Sequence, residues 1–110
     1  MYSVLCDYIS NKNVNSLNIF EVGTARGFSS LCMSKALKDS KINGNIFTCD
    51  IIPHNKKIFW NCILDHENRK KTRFEIIGKW TNLIDKINFF HGTCKEAQEK
   101  HNFGRINFAF

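Results

Sequence analysis

The stretch Glu21-Val22-Gly23-Thr24-Ala25-Arg26-Gly27-Phe28-Ser29 combines residue types that can hold a polar ligand against bare backbone. Glycine at Gly23 lets the chain turn sharply after an apolar run and lets a ligand come close to the main chain. Gly27 allows tight packing of the following helix against the strand before it. The N–H groups at the start of that helix favour a carboxylate or a phosphate. Asp50 lies 27 residues after Gly23, at the end of the next apolar run, where a carboxylate can accept both hydroxyls of a ribose. A dinucleotide-binding loop carries Gly-x-Gly-x-x-Gly, whereas this one is Gly-x-x-x-Gly. A P-loop ends in Gly-Lys-Ser/Thr, and here Gly27 is followed by Phe28. A glycine-poor loop preceded by an acid suits a ligand with a ribose and no pyrophosphate. Plainer uses stand beside these: Gly23 and Gly27 as turn residues, Ser29 as a partner for helix-start donors, and Asp50 as a cap of the next loop.

For these residues to meet, the elements around them must alternate, and they do. Val4–Ile9 has apolar positions at helical spacing, and polar residues 11–16 break it. Leu17–Val22 is a short apolar run that fits a strand buried on both faces. After the turn, Phe28, Leu31, Cys32 and Ala36 mark one face of a helix that Asn43-Gly44 is expected to stop. Asn45–Asp50 is a second strand and Pro53 marks a loop. A helix is expected over Lys56–Leu64 with Ile58, Phe59 and Cys62 inward, and another through Phe74, Ile77, Trp80 and Ile84, ending near Asp85. Lys86–His91 is a third strand, closed by Gly92. Thr93–His101 is a short polar helix, with Thr93 a candidate N-cap, and Arg105–Phe110 is a fourth strand. Such alternation predicts an α/β fold with a parallel sheet and crossover helices.

A chain of 110 residues is bounded to a single small domain, and ten Phe against one Pro give it enough apolar surface to fold. No apolar run approaches the ~20 residues of a membrane span. Met1–Ser10 has no basic segment and carries Asp7, unlike a secretion signal, so the expected compartment is the cytoplasm. The five cysteines, Cys6, Cys32, Cys49, Cys62 and Cys94, form no Cys-x-x-Cys pair and read as buried free thiols, not as metal ligands. The net charge is +6, with Lys56, Lys57, Arg69, Lys70, Lys71 and Arg73 concentrated in one region. Asp65, Glu67 and Glu75 interleave with them, which reads as a solvated face and not as a nucleic-acid footprint. His54, His66, His91 and His101 form no metal pattern, and His54 reads as a surface-loop residue. Trp60 and Trp80 read as core anchors, and Asp65-His66-Glu67 as solvated.

Glu-x-Gly-x-x-x-Gly-Phe-Ser resembles the first motif of class I S-adenosylmethionine-dependent methyltransferases. The runs EVGTARGFSS, TCDIIPHNKKIFWNC, FFHGTCKEA and RINFAF are similar to a small-molecule subgroup allied to the catechol-O-methyltransferase-like proteins, from Leu17 to the end. The resemblance implies a Rossmann-like sheet with strands in the order third, second, first, fourth, and S-adenosylmethionine as cofactor. It implies that Glu21 and Gly23 line the methionine end and that the backbone of Thr24 and Ala25 passes beneath it, in the turn closed by Gly27. Ser29 would bond the methionine carboxylate, Asp50 the ribose hydroxyls, and Ile51 would pack on the adenine. Thr93 departs from the family, where Asp often contacts the adenine amine at this position.

The implied partner is a small-molecule methyl acceptor, and no catalytic residue is identified, because the family's acceptor-side base or metal ligands follow the fourth strand. A strand running to Phe110, with Phe108 and Phe110 lacking cover, reads as the N-terminal half of the fold, ending before the substrate-binding half. On that reading the chain alone is inactive and self-associates through an open sheet edge. The alternatives are a compact four-stranded domain, a non-catalytic binding or pairing module, a decayed fragment, or a dinucleotide-binding oxidoreductase half.

Overall fold

Two apolar runs with few charges form the centre of the sheet, β1 (Ser16–Val22) and β2 (Asn43–Asp50). A computed structural model describes residues 1–61 and 69–110. Around β1 and β2 are placed β3 (Ile87–His91) and β4 (Phe108–Ala109), with α1 (Tyr2–Lys12), α2 (Phe28–Asp39), α3 (Arg73–Ile77), α4 (Thr81–Ile84) and α5 (Cys94–Lys100). The sheet is wholly parallel in the order β3-β2-β1-β4, a Rossmann-like α/β arrangement. Glu21 lies beside Thr48, and Asp50 beside His91, so the C-terminal ends of three strands finish level. No helix among the described residues is long and apolar enough to cross a membrane.

Alternation along β1 sends its side chains to two cores, because successive residues of a strand face opposite ways. Leu17 and Ile19 join Leu5, Leu31, Met33, Leu37 and Ile46 beneath α1 and α2. Phe20 faces the other way, with Cys49 and Ala97 of α5, and Phe47, Phe90 and Phe103 pack around them.

Several boundaries differ from expectation, each for a visible reason. α1 runs on to Lys12 and ends where Asn13 turns left-handed at φ 48°. α2 ends at Asp39, and Asn43-Gly44 opens β2 instead of stopping the helix. Gly44 is required by close approach, since a Cβ there would lie 2.1 Å from the Leu17 carbonyl oxygen. The expected helix over 56–64 is absent as far as Asn61, its remainder lying outside the described residues, and Ile58 instead bridges Lys71 in antiparallel fashion. The single helix expected to end near Asp85 is two, α3 and α4, separated at Gly78–Trp80, where the Trp80 N–H turns back to the Ile77 carbonyl at 3.0 Å. β4 is shorter than Arg105–Phe110: backbone bonds tie Asn107 and Phe110 to β1, but the Asn18 N–H goes to the Asn107 side-chain oxygen at 3.0 Å instead of to a main-chain carbonyl.

Candidate functional site

The loop after β1 is drawn across the end of β2 by its own backbone. The N–H groups of Gly23 and Thr24 both reach the Cys49 carbonyl, at 2.8 and 3.3 Å, and Gly27 closes the turn onto the Thr24 carbonyl at 2.8 Å. Gly23 holds φ +87°, and no atom lies within 4 Å of where its Cβ would be, so the space above it is open. Gly27 holds φ +85°, and its Cβ position lies 3.2 Å from a methyl of Ile77. Its close approach is therefore to α3, not to the strand. Ala25 is left-handed at φ 45°, which costs a residue with a Cβ about 1–2 kcal/mol.

Beneath the loop Glu21 is fully buried. Its carboxylate accepts from the hydroxyls of Ser29 and Ser30, and from Thr48 at 2.6 Å. The Thr24 hydroxyl lies 2.7 Å from that of Thr48 and extends the network. Burial of a carboxylate is tolerated because hydroxyl donors replace its water. Ser29 donates its proton inward, so as oriented it presents lone pairs outward and can accept from a ligand N–H.

Asp50 is only 8% exposed. Its Oδ1 accepts from the Ile52 N–H at 2.8 Å, and its Oδ2 accepts from the Ala25 N–H at 2.7 Å and Arg73 Nη2 at 2.9 Å. A carboxylate offers about four acceptor positions, so three donors leave capacity for one further hydroxyl. Arg73, expected on a solvated face, is fully buried. Besides Asp50, its guanidinium donates to the Ala25 carbonyl at 2.5 Å, faces the Ile52 carbonyl at 3.4 Å and His54 Nδ1, and lies 5.2 Å from the centre of the Trp60 ring. Burial pushes its pKa down, while the charges of Asp50 and Glu21 push it back up. His54 is no surface-loop residue either. It packs between Phe74 and Phe89, its Nε2 is out of reach of solvent without a hydrogen-bond partner, and burial pushes its pKa down.

Two groups emerge from the residues singled out in the sequence. Gly23, Ala25, Ile51 and Thr93 are exposed at the rim, whereas Glu21, Thr24, Gly27 and Asp50 lie below it, with Ser29 between. Ile51 is 72% exposed and presents a bare apolar side chain. Thr93 caps α5: its hydroxyl accepts from the Glu96 N–H at 3.2 Å, and its own N–H donates to the Glu96 carboxylate at 2.7 Å. The Thr93 N–H, and the Thr93 hydroxyl proton at 2.8 Å, hold the Glu96 carboxyl below its ordinary range.

The other sequence readings divide similarly. Trp60 is buried, with Nε1 donating to the Lys71 carbonyl at 2.7 Å, and Trp80 is half-buried. Cys49 is buried, and burial raises its thiol pKa, but Cys32 is exposed at the surface of α2, where a buried thiol was expected. Asp65-His66-Glu67 and Cys62 lie outside the described residues. Among the described residues no three His, Cys, Asp or Glu side chains are gathered as a metal site would need.

No family model, no curated protein and no solved structure matches the chain.

The inner residues Ser30, Thr48 and Arg73 have no site role in the sequence reading, and His54, which follows the ribose-binding end of β2, is read there as a loop residue. A signal for Arg73 exists in the sequence: it lies three and four residues before Ile76 and Ile77, on the helix face that the core takes. The partners of Ser30 and Thr48 are set by strand register and helix docking, which leave no local mark.

Proposed function

We propose that the Gly23–Gly27 loop binds S-adenosylmethionine and that the chain carries the cofactor-binding part of a methyltransferase acting on a small molecule. One observation carries this: an open glycine loop at the end of β1, beside β4, where the strand order reverses direction, with a carboxylate at the end of the neighbouring strand. Ligands of open parallel sheets collect at such a switch point.

The residues present fit the cofactor in a specific way. Gly23 lets the ligand approach the main chain. Asp50 takes one ribose hydroxyl on its remaining acceptor position, not two. Ile51 offers an apolar surface to the adenine. Ser29, whose proton goes to Glu21, accepts from the ammonium of the methionine end in place of the expected bond to its carboxylate, and the fully buried Glu21 acts through it by orienting the hydroxyl. Thr93 is exposed at the rim, but its N–H, carbonyl and hydroxyl are all engaged within α5. When bound, the cofactor supplies an electrophilic methyl group, and the chain's task is to orient it and keep water from its flank. A second reading, a binding module without turnover, is supported by the state of the carboxylates beside the loop. Glu21 and Asp50 are both engaged by inward donors, and neither is placed as a general base.

Calorimetry with S-adenosylmethionine and with a nicotinamide dinucleotide tests the proposal. The expected result is binding of the first alone, weakened at least about tenfold by Gly23→Val, which fills the open space above the loop and strains a backbone at φ +87°, with circular dichroism checking that the variant is folded. Binding of the dinucleotide alone would overturn it. Transfer of labelled methyl to a metabolite panel separates the enzyme from the binding module.

A further inference from the structure

Arg73 joins segments that are far apart in the chain. Its Nε holds the Ala25 carbonyl, its Nη2 holds Asp50 at the end of β2, and its Nη1 meets His54 Nδ1. Asp50 closes the frame by accepting the Ala25 N–H. Both backbone polar groups of Ala25 are thereby held, in a left-handed conformation that a residue with a Cβ does not favour. Gly23 and Gly27 flank that held peptide, so its orientation sets the shape of the loop.

We infer that Arg73 is a positioning residue for the Gly23–Gly27 loop, holding the Ala25 peptide against Asp50 in the shape that receives the ligand, with neutral His54 as the side of the clamp that a proton undoes. The inference rests on reading the loop as the cofactor seat. A guanidinium only donates, so His54 Nδ1 must accept, which requires the neutral ring with its proton on Nε2. A proton taken from water at Nδ1 would set N–H against N–H and place two positive charges in contact. The charged and titratable groups facing His54 are Arg73 from α3, Asp50 from the end of β2 and His91 from the end of β3. The Phe90 backbone and Asp50 favour the protonated ring, but Asp50 is already occupied by Arg73 and two backbone donors. Arg73, His91 and burial all oppose protonation.

The test follows two quantities at about pH 7.5 and about pH 5.5, either side of an ordinary histidine's titration. One is the hydrogen-exchange protection factor of the Ala25 amide, and the other is calorimetric affinity for S-adenosylmethionine. Wild-type protein should lose both as pH falls below the ordinary histidine range, the dependence approaching tenfold per pH unit. His54→Asn supplies an amide oxygen to Arg73 that does not titrate. In this variant the Ala25 protection factor should no longer depend on pH, and the affinity should change only as the ligand's own amino group dictates. Arg73→Lys keeps the charge near Asp50 but lacks the fork that reaches Ala25. It should lose Ala25 protection at both pH values while remaining folded by circular dichroism. If that variant unfolds, the His54→Asn comparison still decides. A wild-type Ala25 protection factor indifferent to pH, or an unaltered pH dependence in His54→Asn, would overturn the inference. Folded wild-type protein that binds no S-adenosylmethionine at either pH would overturn the cofactor reading instead, and the clamp would then be judged on Ala25 exchange.

Discussion

Asp50 and Arg73 form a buried ion pair in which each group depends on the other. The Asp50 carboxylate has two backbone donors besides Arg73, whereas Arg73 has no second carboxylate within salt-bridge distance among the described residues. Removing Asp50 therefore leaves a buried cation uncompensated, which costs about 3–5 kcal/mol. Asp50→Ala is expected to lower the unfolding free energy by that amount, read as a lower urea midpoint at unchanged slope, so lost ligand binding in this variant reports folding as well as recognition. Arg73→Met leaves Asp50 its backbone donors and is expected to cost less, which comparison of the two midpoints checks. His54 adds a pH dependence at the same spot. Its pKa is lower in the folded than in the unfolded state. The unfolded chain thus takes up a proton first, and the stability tied to neutral His54 is complete above about pH 6.5 and lost as pH falls below it. Wild-type protein should lose more stability than His54→Asn between about pH 7.5 and about pH 5.5. The depressed carboxyls of Glu75 and Glu96 act lower, losing their contribution as pH falls from about 4.3, so the two windows separate.

Short helices place the residues that matter around the loop, and their caps decide whether they do so. α3 has five residues and begins with a capping box, in which the Thr72 hydroxyl accepts from the Glu75 N–H and the Glu75 carboxylate accepts from the Thr72 N–H. Arg73 is its first helical residue. α5 begins with the same device, Thr93 and Glu96. Thr72→Ala and Thr93→Ala should each cost about 1 kcal/mol in stability. Only the first should also reduce exchange protection at Ala25, because only α3 carries the guanidinium that holds it. Equal protection in both variants would show that α3 is held by packing of Ile76 and Ile77 rather than by its cap.

Two cores on opposite faces of the sheet carry unequal shares of the molecule's stability. Leu37 is fully buried in the larger core, and Leu37→Ala should cost about 2–5 kcal/mol. That is a large part of the roughly 5–15 kcal/mol available to a domain, so the variant is expected to be partly unfolded at 37 °C by circular dichroism. Phe103 sits in the smaller core, with ring centres 5.2, 5.0 and 5.1 Å from those of Phe20, Phe47 and Phe90. It is only half-buried, and Phe103→Ala should cost less than Leu37→Ala. A larger loss from Phe103 would mean that α5 and the aromatic face dominate the fold.

Local pattern by itself determined the parallel strands around Leu17–Val22, Asn45–Asp50 and Lys86–His91, the glycine turn between the first and the following helix, and Thr93 as a helix start. Each of these rests on neighbours within a few residues: apolar runs, glycine before a helix, a hydroxyl three residues ahead of a glutamate. What the tertiary structure decided lies at longer range. Asp50 meets Ala25 and Arg73 across separations of 25 and 23 residues, and Glu21 meets Thr48 across 27. Gly44 reads as a helix stop until β1 is seen to pass against it. Arg73 reads as one more member of a basic run because a charge is buried only when a partner compensates it, and the partner is chosen by packing, not by sequence spacing. His54 follows for the same reason: a loop histidine becomes a half-buried acceptor once Phe74, Phe89 and the guanidinium close around it.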